Sequence, residues 1–297
     1  MTDLEALRQI PLPSLQSQHP PKSVSLSKLQ TLNITDNARR ALAIVNGLEL
    51  PASTITLISL DCNAMKSASQ VNNLLTQVDH IIGSHLASAC SSPGSGFETL
   101  ILSSAPDYRG VKTEHHGFQI ALEHALDSSG PKTWRFALYN LREPTLKDAS
   151  PLRHVLMWPN FCSVKRVAIW HASFQWAEDS ITWQSVMDTL PGVEIIEPEA
   201  RVAQGFAHAL KLHSALLPQL KKIIIRRSLL AAADVDALSK GLQARATAVS
   251  LSIFRCDVEK DGAERLKHIV TESGATFYWD KRENAVSAIR SVWSFGD

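Results

Sequence analysis

The sequence predicts an α/β fold, an open solenoid with sequentially ordered parallel strands on its concave side and helices on its convex side. Three observations carry that expectation. A short apolar pattern suited to strands recurs along the chain in one register. Stretches with helical spacing of apolar residues fill the intervals between its copies. Glycine is sparse, 13 residues in 297, which leaves little material for the glycine-rich loops of a doubly wound nucleotide-binding sheet.

The first clear copy runs from Leu29 through Leu32 and Ile34 to Asn37 and fits L-x-x-L-x-L-x-x-N at every fixed place. The second runs from Ile55 through Ile58 and Leu60 to Asn63. That pattern is the one of a leucine-rich repeat. Further copies begin at Phe97 (with Leu100 and Leu102), Thr133 (with Phe136, Leu138 and Leu141) and Val164 (with Val167 and Ile169). The last three begin at Leu190 (with Val193 and Ile195), Leu220 (with Ile223 and Ile225) and Ala248 (with Leu251, Ile253 and Cys256). The starts lie 26, 42, 36, 31, 26, 30 and 28 residues apart, so the longer intervals require local insertions. A polar residue in the ninth place can satisfy backbone groups left unpaired where a strand turns away.

The intervals read as helices. Ala38, Leu42 and Val45 lead to Asn46-Gly47, a helix stop. Val71, Leu74, Leu75, Val78, Ile81, Ile82 and Leu86 share one helical face. Arg201 to Leu216 and Ala231 to Leu242 are alanine- and leucine-rich with the same spacing. Asp257 and Asp261 precede Ala263, Leu266, Ile269 and Val270, which sets acids at the positive end of another short helix. The organisation expected is an irregular proline-rich segment over residues 1–25 and a repeat domain over residues 26–297.

From Leu217 to Asp280 the chain reads LPQLKKIIIRRSLL, a helix to Leu242, ARATAVSLSIFRCDVEKDGAERLKHIV and FYWD. This resembles the C-terminal region of the F-box proteins abundant in mushroom-forming fungi. There a P-x-L strand precedes a helix ending near L-x-x-R, a strand closing on Cys, an L-x-x-IV helix and a Trp-Asp strand. LSKLQTLNITDNARRALAIVNGLELPASTITLISLDCN is similar to the upstream unit of that family, and the likeness spans residues 26–283. The resemblance implies the substrate-receptor half of a ubiquitin ligase, which selects a target and performs no chemistry. Family members also carry an N-terminal F-box, a helical module that docks on a ligase adaptor. Pro11, Pro13, Pro20 and Pro21 interrupt the residues before the first repeat, each costing about 3 kcal/mol inside a helix. No F-box is expected in them, and adaptor docking is not expected of this chain by itself. A truncated member and a free-standing repeat module both fit.

Composition bounds the partners. Thirty Lys and Arg balance 29 Asp and Glu, and no dense basic run occurs, so phosphate-driven binding to nucleic acid is not expected. No apolar run reaches the roughly 18 residues of a membrane span. Acids and prolines occupy the opening residues in place of a signal core, so a cytoplasmic or nuclear location is expected. Cys62, Cys90, Cys162 and Cys256 form no C-x-x-C pair and read as reduced, mostly buried thiols.

Candidate chemistry is thin. Gly94-Ser-Gly96 precedes a strand, the reverse of the order a phosphate cradle needs. His115 and His116 are neighbours, and His80 and His85 are five apart, off the spacing that converges on zinc. Glu178-Asp179 and Asp234/Asp236 sit near helix starts, where they offset the macrodipole, and Trp176 and Trp183 read as packing. No active site, cofactor or metal is expected. The informative positions are the places of the repeat that project from the concave sheet, because alternate strand residues point to opposite faces. They hold Arg166, Ala168, Trp170 and His171, then Lys222, Ile224, Arg226 and Arg227, then Ser250, Ser252, Phe254 and Arg255. Arg166, Trp170, His171, Lys222, Arg226, Arg227, Phe254 and Arg255 are the expected partner-binding residues, since Arg beside aromatics is the make-up of interaction hot spots. The partner they suit is an acidic protein segment. Two alternatives stay open: a small-molecule enzyme on an ordinary α/β sheet, and an inactive truncated fragment.

Overall fold

A computed structural model describes residues 23–51, 54–89, 97–104, 118–124, 133–139, 141, 150–158, 161, 163–170 and 180–281. The elements in its first half are β1 (Val24–Ser25), β2 (Thr31–Asn37), α1 (Ala38–Asn46), β3 (Leu48–Glu49), β4 (Ile55–Asp61), α2 (Ala68–Ala89), β5 (Phe97–Ser104), β6 (Phe118–His124) and β7 (Thr133–Tyr139). Then follow α3 (Ser150–Leu156), β8 (Arg166–Trp170), α4 (Ser180–Met187), β9 (Ile195–Pro198), α5 (Arg201–Leu212), β10 (Lys222–Arg226) and β11 (Leu229–Leu230). The chain continues through α6 (Ala232–Gln243), β12 (Ser250–Phe254), β13 (Asp257–Val258), α7 (Lys260–Glu272) and β14 (Phe277–Trp279).

Period-2 alternation turns one side of each strand inward. Leu32 and Ile34, Ile58 and Leu60, Leu100 and Leu102, Phe136 and Leu138, Val167 and Ile169, Ile223 and Ile225, and Leu251 and Ile253 all enter one continuous core. The buried stripe of each helix meets them there: Val71, Leu74, Leu75 and Val78 from α2, Phe206 and Leu210 from α5, Ala263, Leu266 and Val270 from α7. Successive helices from α1 to α7 touch one another in chain order. One layer of helices therefore covers one face of a mostly parallel sheet, and the described residues leave the other face without a helix. A second, small cluster of Ile101, Ala121 and Ala168, with Trp170 against it, lies on that other face.

The ten-stranded sheet runs β2-β4-β7-β6-β5-β8-β9-β10-β12-β14 and does not close on itself. This corrects the expectation of sequentially ordered parallel strands. β6, absent from the repeat pattern, pairs antiparallel with both β5 and β7. The meander reverses the local order, so β4 lies beside β7 and β5 beside β8. The 36-residue interval between Phe97 and Thr133 thus holds an additional strand. Three successive strands paired antiparallel fold back on themselves, and the crossovers on either side then pass over two strands each.

Two registers also shift. The Leu190 unit was expected to turn Val193 and Ile195 inward. In β9 it is Ile196 that is fully buried, while Ile195 lies between Arg166 and Lys222 on the helix-free side. Two adjacent isoleucines give no local preference, and the neighbouring strands decide. In the Ala248 unit Val249 is buried in place of Ala248. Asp257 belongs to β13, paired with β11, and only Asp261 lies in the first turn of α7.

Polar ties join the C-terminal units. Arg245 Nη1 donates to the carbonyls of Ser214 at 3.0 Å and Leu216 at 2.7 Å, and its Nη2 to that of Leu217 at 2.8 Å. Asp234 caps α6 by accepting the Ala231 N–H at 2.9 Å and holds His208 of α5 at 3.1 Å. Gly241 permits α5 and α6 to touch, because a Cβ there would lie 2.9 Å from the Leu210 backbone. Asn37 uses its ninth-place side chain to cap α1, accepting the Arg40 N–H at 3.0 Å.

Candidate functional site: the helix-free face at the C-terminal strand ends

Strand alternation alone places Arg166, Ala168 and Trp170, then Lys222, Ile224 and Arg226, then Ser250, Ser252 and Phe254 away from the main core. Their inward neighbours fill it. Parallel register sets Arg226 beside Phe254, and Ser252 beside Tyr278 of β14. The rings of Phe254 and Tyr278 lie 5.0 Å apart, and the Arg226 guanidinium lies 5.1 Å from the Phe254 ring centre. A cation over an aromatic face is held by the ring quadrupole, so the three side chains brace one another.

The shifted register of β9 brings two acids to the same face. Glu197 is 1% exposed. Its Oε1 accepts from Arg166 Nη2 at 2.5 Å, and its Oε2 lies 3.6 Å from Arg226 Nε. Glu199 is also buried, 3.2 Å from Arg227 Nε. A carboxylate withdrawn from water needs such cationic partners, and here they come from the strands on both sides. These arginines are thereby fixed in place and partly neutralised.

The strand ends carry a second regularity. Ala200, Arg227, Arg255 and Lys281 all have positive φ, of 54°, 47°, 52° and 52°. They occupy equivalent places just after β9, β10, β12 and β14. The next residue turns inward in two of these units: Ser228 Oγ donates to the Ala200 carbonyl at 2.8 Å, and Cys256 Sγ lies 3.6 Å from the Ile225 carbonyl. The Arg255 N–H donates to Asp280 Oδ2 at 2.9 Å. Arg226, Arg227, Phe254, Arg255, Tyr278 and Asp280 line an open cleft of ≈ 500 Å³. It sits at the carboxyl ends of parallel strands, where ligands of open α/β sheets commonly bind.

Among the expected binding residues, Arg226, Arg227, Phe254 and Arg255 come together in this cleft, and Arg166 joins them through Glu197. Lys222 lies at the opposite end of β10, beside Ser250, and Trp170 packs on the small cluster of Ile101, Ala121 and Ala168. His171 lies outside the described residues. So do Gly94-Ser-Gly96, His115-His116, Trp176, Glu178-Asp179, Cys90, Cys162 and residues 1–22. Sequence reasoning missed Glu197, Glu199, Tyr278 and Asp280. The signal for the first two was acids at alternate places, 197 and 199, in a strand whose neighbours present arginine.

Trp183 is core, packed edge-on against Phe206 at 5.3 Å. Cys62 and Cys256 are buried, and burial pushes each thiol up to about 12, which makes them poor nucleophiles. Among the described residues no helix is long and apolar enough to cross a membrane. No protein-family model matches the chain, and no curated protein matches its sequence.

Proposed function

We propose that the chain is a non-catalytic protein–protein recognition module, an open leucine-rich-repeat-like solenoid whose helix-free sheet face selects a partner. Its cellular role would be that of the substrate-receptor region of an F-box protein, choosing a target for ubiquitin transfer. The observation that carries the reading is the helix-free face itself, which presents arginines and aromatic rings held in fixed positions. Further support comes from the C-terminal half, where β8, β9, β10, β12 and β14 lie side by side in chain order, each preceded by a helix of the same row. The recurring positive-φ residue after four of these strands is what a repeated structural unit produces. The F-box context rests on the resemblance of residues 26–283 alone.

Affinity capture with quantitative mass spectrometry tests this, comparing the wild-type chain with Trp170→Ala and Arg226→Ala variants of unchanged circular dichroism. The expected result is loss of specific captured proteins from one or both variants, with no ligase adaptor recovered by the chain itself. An identical captured set would overturn the proposed face.

A further inference from the structure

We infer that the cleft at the ends of β10, β12 and β14 binds a carboxylate-bearing linear segment of a partner protein, an acidic residue set beside an apolar one. This deepens the recognition reading and rests on it. Charge and shape both point to that ligand.

Four guanidinium groups, of Arg166, reaching in from the start of β8, and of Arg226, Arg227 and Arg255 at the cleft, share this face with three carboxylates, of Glu197, Glu199 and Asp280. The acids take up the first three arginines. Arg255 is exposed, has no ion pair among the described residues, and lines the cleft. With Lys281 next in the strand-end column, exposed and also without an ion pair among the described residues, the positive charge left over is about that of two cations, which one or two carboxylates neutralise. A phosphate polymer draws its affinity from many neutralised charges, and a chain of net charge +1 with one uncommitted arginine in this cleft supplies few.

The backbone adds an independent observation. A left-handed conformation costs a non-glycine residue roughly 1–2 kcal/mol, and glycine adopts it freely. The strand-end column nevertheless places arginine at 227 and 255. The same column holds Ala200 and Lys281, so the conformation belongs to the repeated turn, and at 227 and 255 that turn carries arginines that line the cleft. Glu199 pairs with Arg227, whereas Arg255 has no ion pair among the described residues. Beside it the Phe254 and Tyr278 rings form an apolar step, with Tyr278 51% exposed. A carboxylate on Arg255 and an apolar side chain on the rings fill the cleft together.

Selection of a random phage-displayed dodecapeptide library on the full chain tests the inference, run in parallel on Arg255→Ser. Peptides enriched on the wild type should carry Asp or Glu close to an aromatic or aliphatic residue. A synthetic member should bind Arg255→Ser about ten-fold or more weakly. Arg255→Gly should bind as weakly with no fall in Tm, since glycine relieves the backbone strain, so lost binding cannot be blamed on unfolding. Enriched peptides without acids, or with undiminished affinity for Arg255→Ser, would overturn the inference. Tighter binding of labelled decathymidylate than of the best peptide would overturn it in favour of a phosphate ligand. Peptides lost on Trp170→Ala but kept on Arg255→Ser would sink the cleft and leave the recognition reading standing. No enrichment at all sinks the cleft, and only an unchanged protein capture sinks the reading beneath it.

Discussion

A buried thiol behaves as a small apolar group until the solution is alkaline enough to ionise it. Cys62 and Cys256 are in that position, with burial the main cause of a pKa near 12 against an ordinary 9.0. The folded pKa lies above the unfolded one, so the thiols' contribution is fully present below pH 9 and is lost as pH rises toward 12. Between those limits each thiol should lower stability by about 1.4 kcal/mol per pH unit. Urea unfolding of the wild type should therefore steepen in pH dependence above pH 9, and a Cys62→Ala/Cys256→Ala variant should show a shallower fall. Equal slopes would show that other groups govern the alkaline limb. At this scale the sequence is informative about type and poor about partners. Burial is the default for scattered cysteines without a pairing motif, since free Cys is among the most buried residue types. The ion pairs of Glu197 and Glu199 need the register of three strands, and a one-residue slip turns every side chain of a strand to the other face.

Helix and strand assignments are legible because apolar periodicity is local. The stripe Val71, Leu74, Leu75 and Val78 specifies one buried face of α2 whatever its neighbours are. How one unit is tied to the next is less visible. Arg245 lies three residues beyond Leu242, just past the end of α6, and its guanidinium gathers three carbonyls from the loop that leads into β10. Leu217 in that loop has φ of 53°, and the fork of donors holds it there. Arg245→Ala should destabilise by about 2–4 kcal/mol in urea unfolding, because buried carbonyls lose charge-assisted bonds. Arg245→Lys should recover little, since an ammonium cannot span three acceptors with the fork's geometry. A cost under about 0.5 kcal/mol, typical of surface positions, would show that the loop holds itself.

At the level of the molecule the order of strands is the decisive feature. Register places Ser59 of β4 opposite Ala137 of β7, two strands that are not consecutive in sequence. Neighbouring Cα atoms of a parallel pair fall within disulfide reach. Ser59→Cys/Ala137→Cys should form a bond under mild oxidation, identified by peptide mapping, and Ser59→Cys/Ile101→Cys should not. The opposite result would restore a sequential order with β4 beside β5. This topology also affects what the helix-free face displays. The meander sets the Ile101, Ala121 and Ala168 cluster with Trp170 at mid-sheet, with Arg135 of β7 beside Ala121, and leaves the cleft arginines to later strands.

Alternation, helical stripes and stop signals, all read within a few residues, determine by themselves that this chain builds short strands and amphipathic helices around one core. They also determine which side of β8, β10 and β12 carries arginine and phenylalanine. The inverted meander, the register of β9 and the paired carboxylates were settled only by tertiary structure. Each depends on backbone hydrogen bonds and charges between segments far apart in the chain, and a local pattern such as Ile195-Ile196 is equally satisfied by either face.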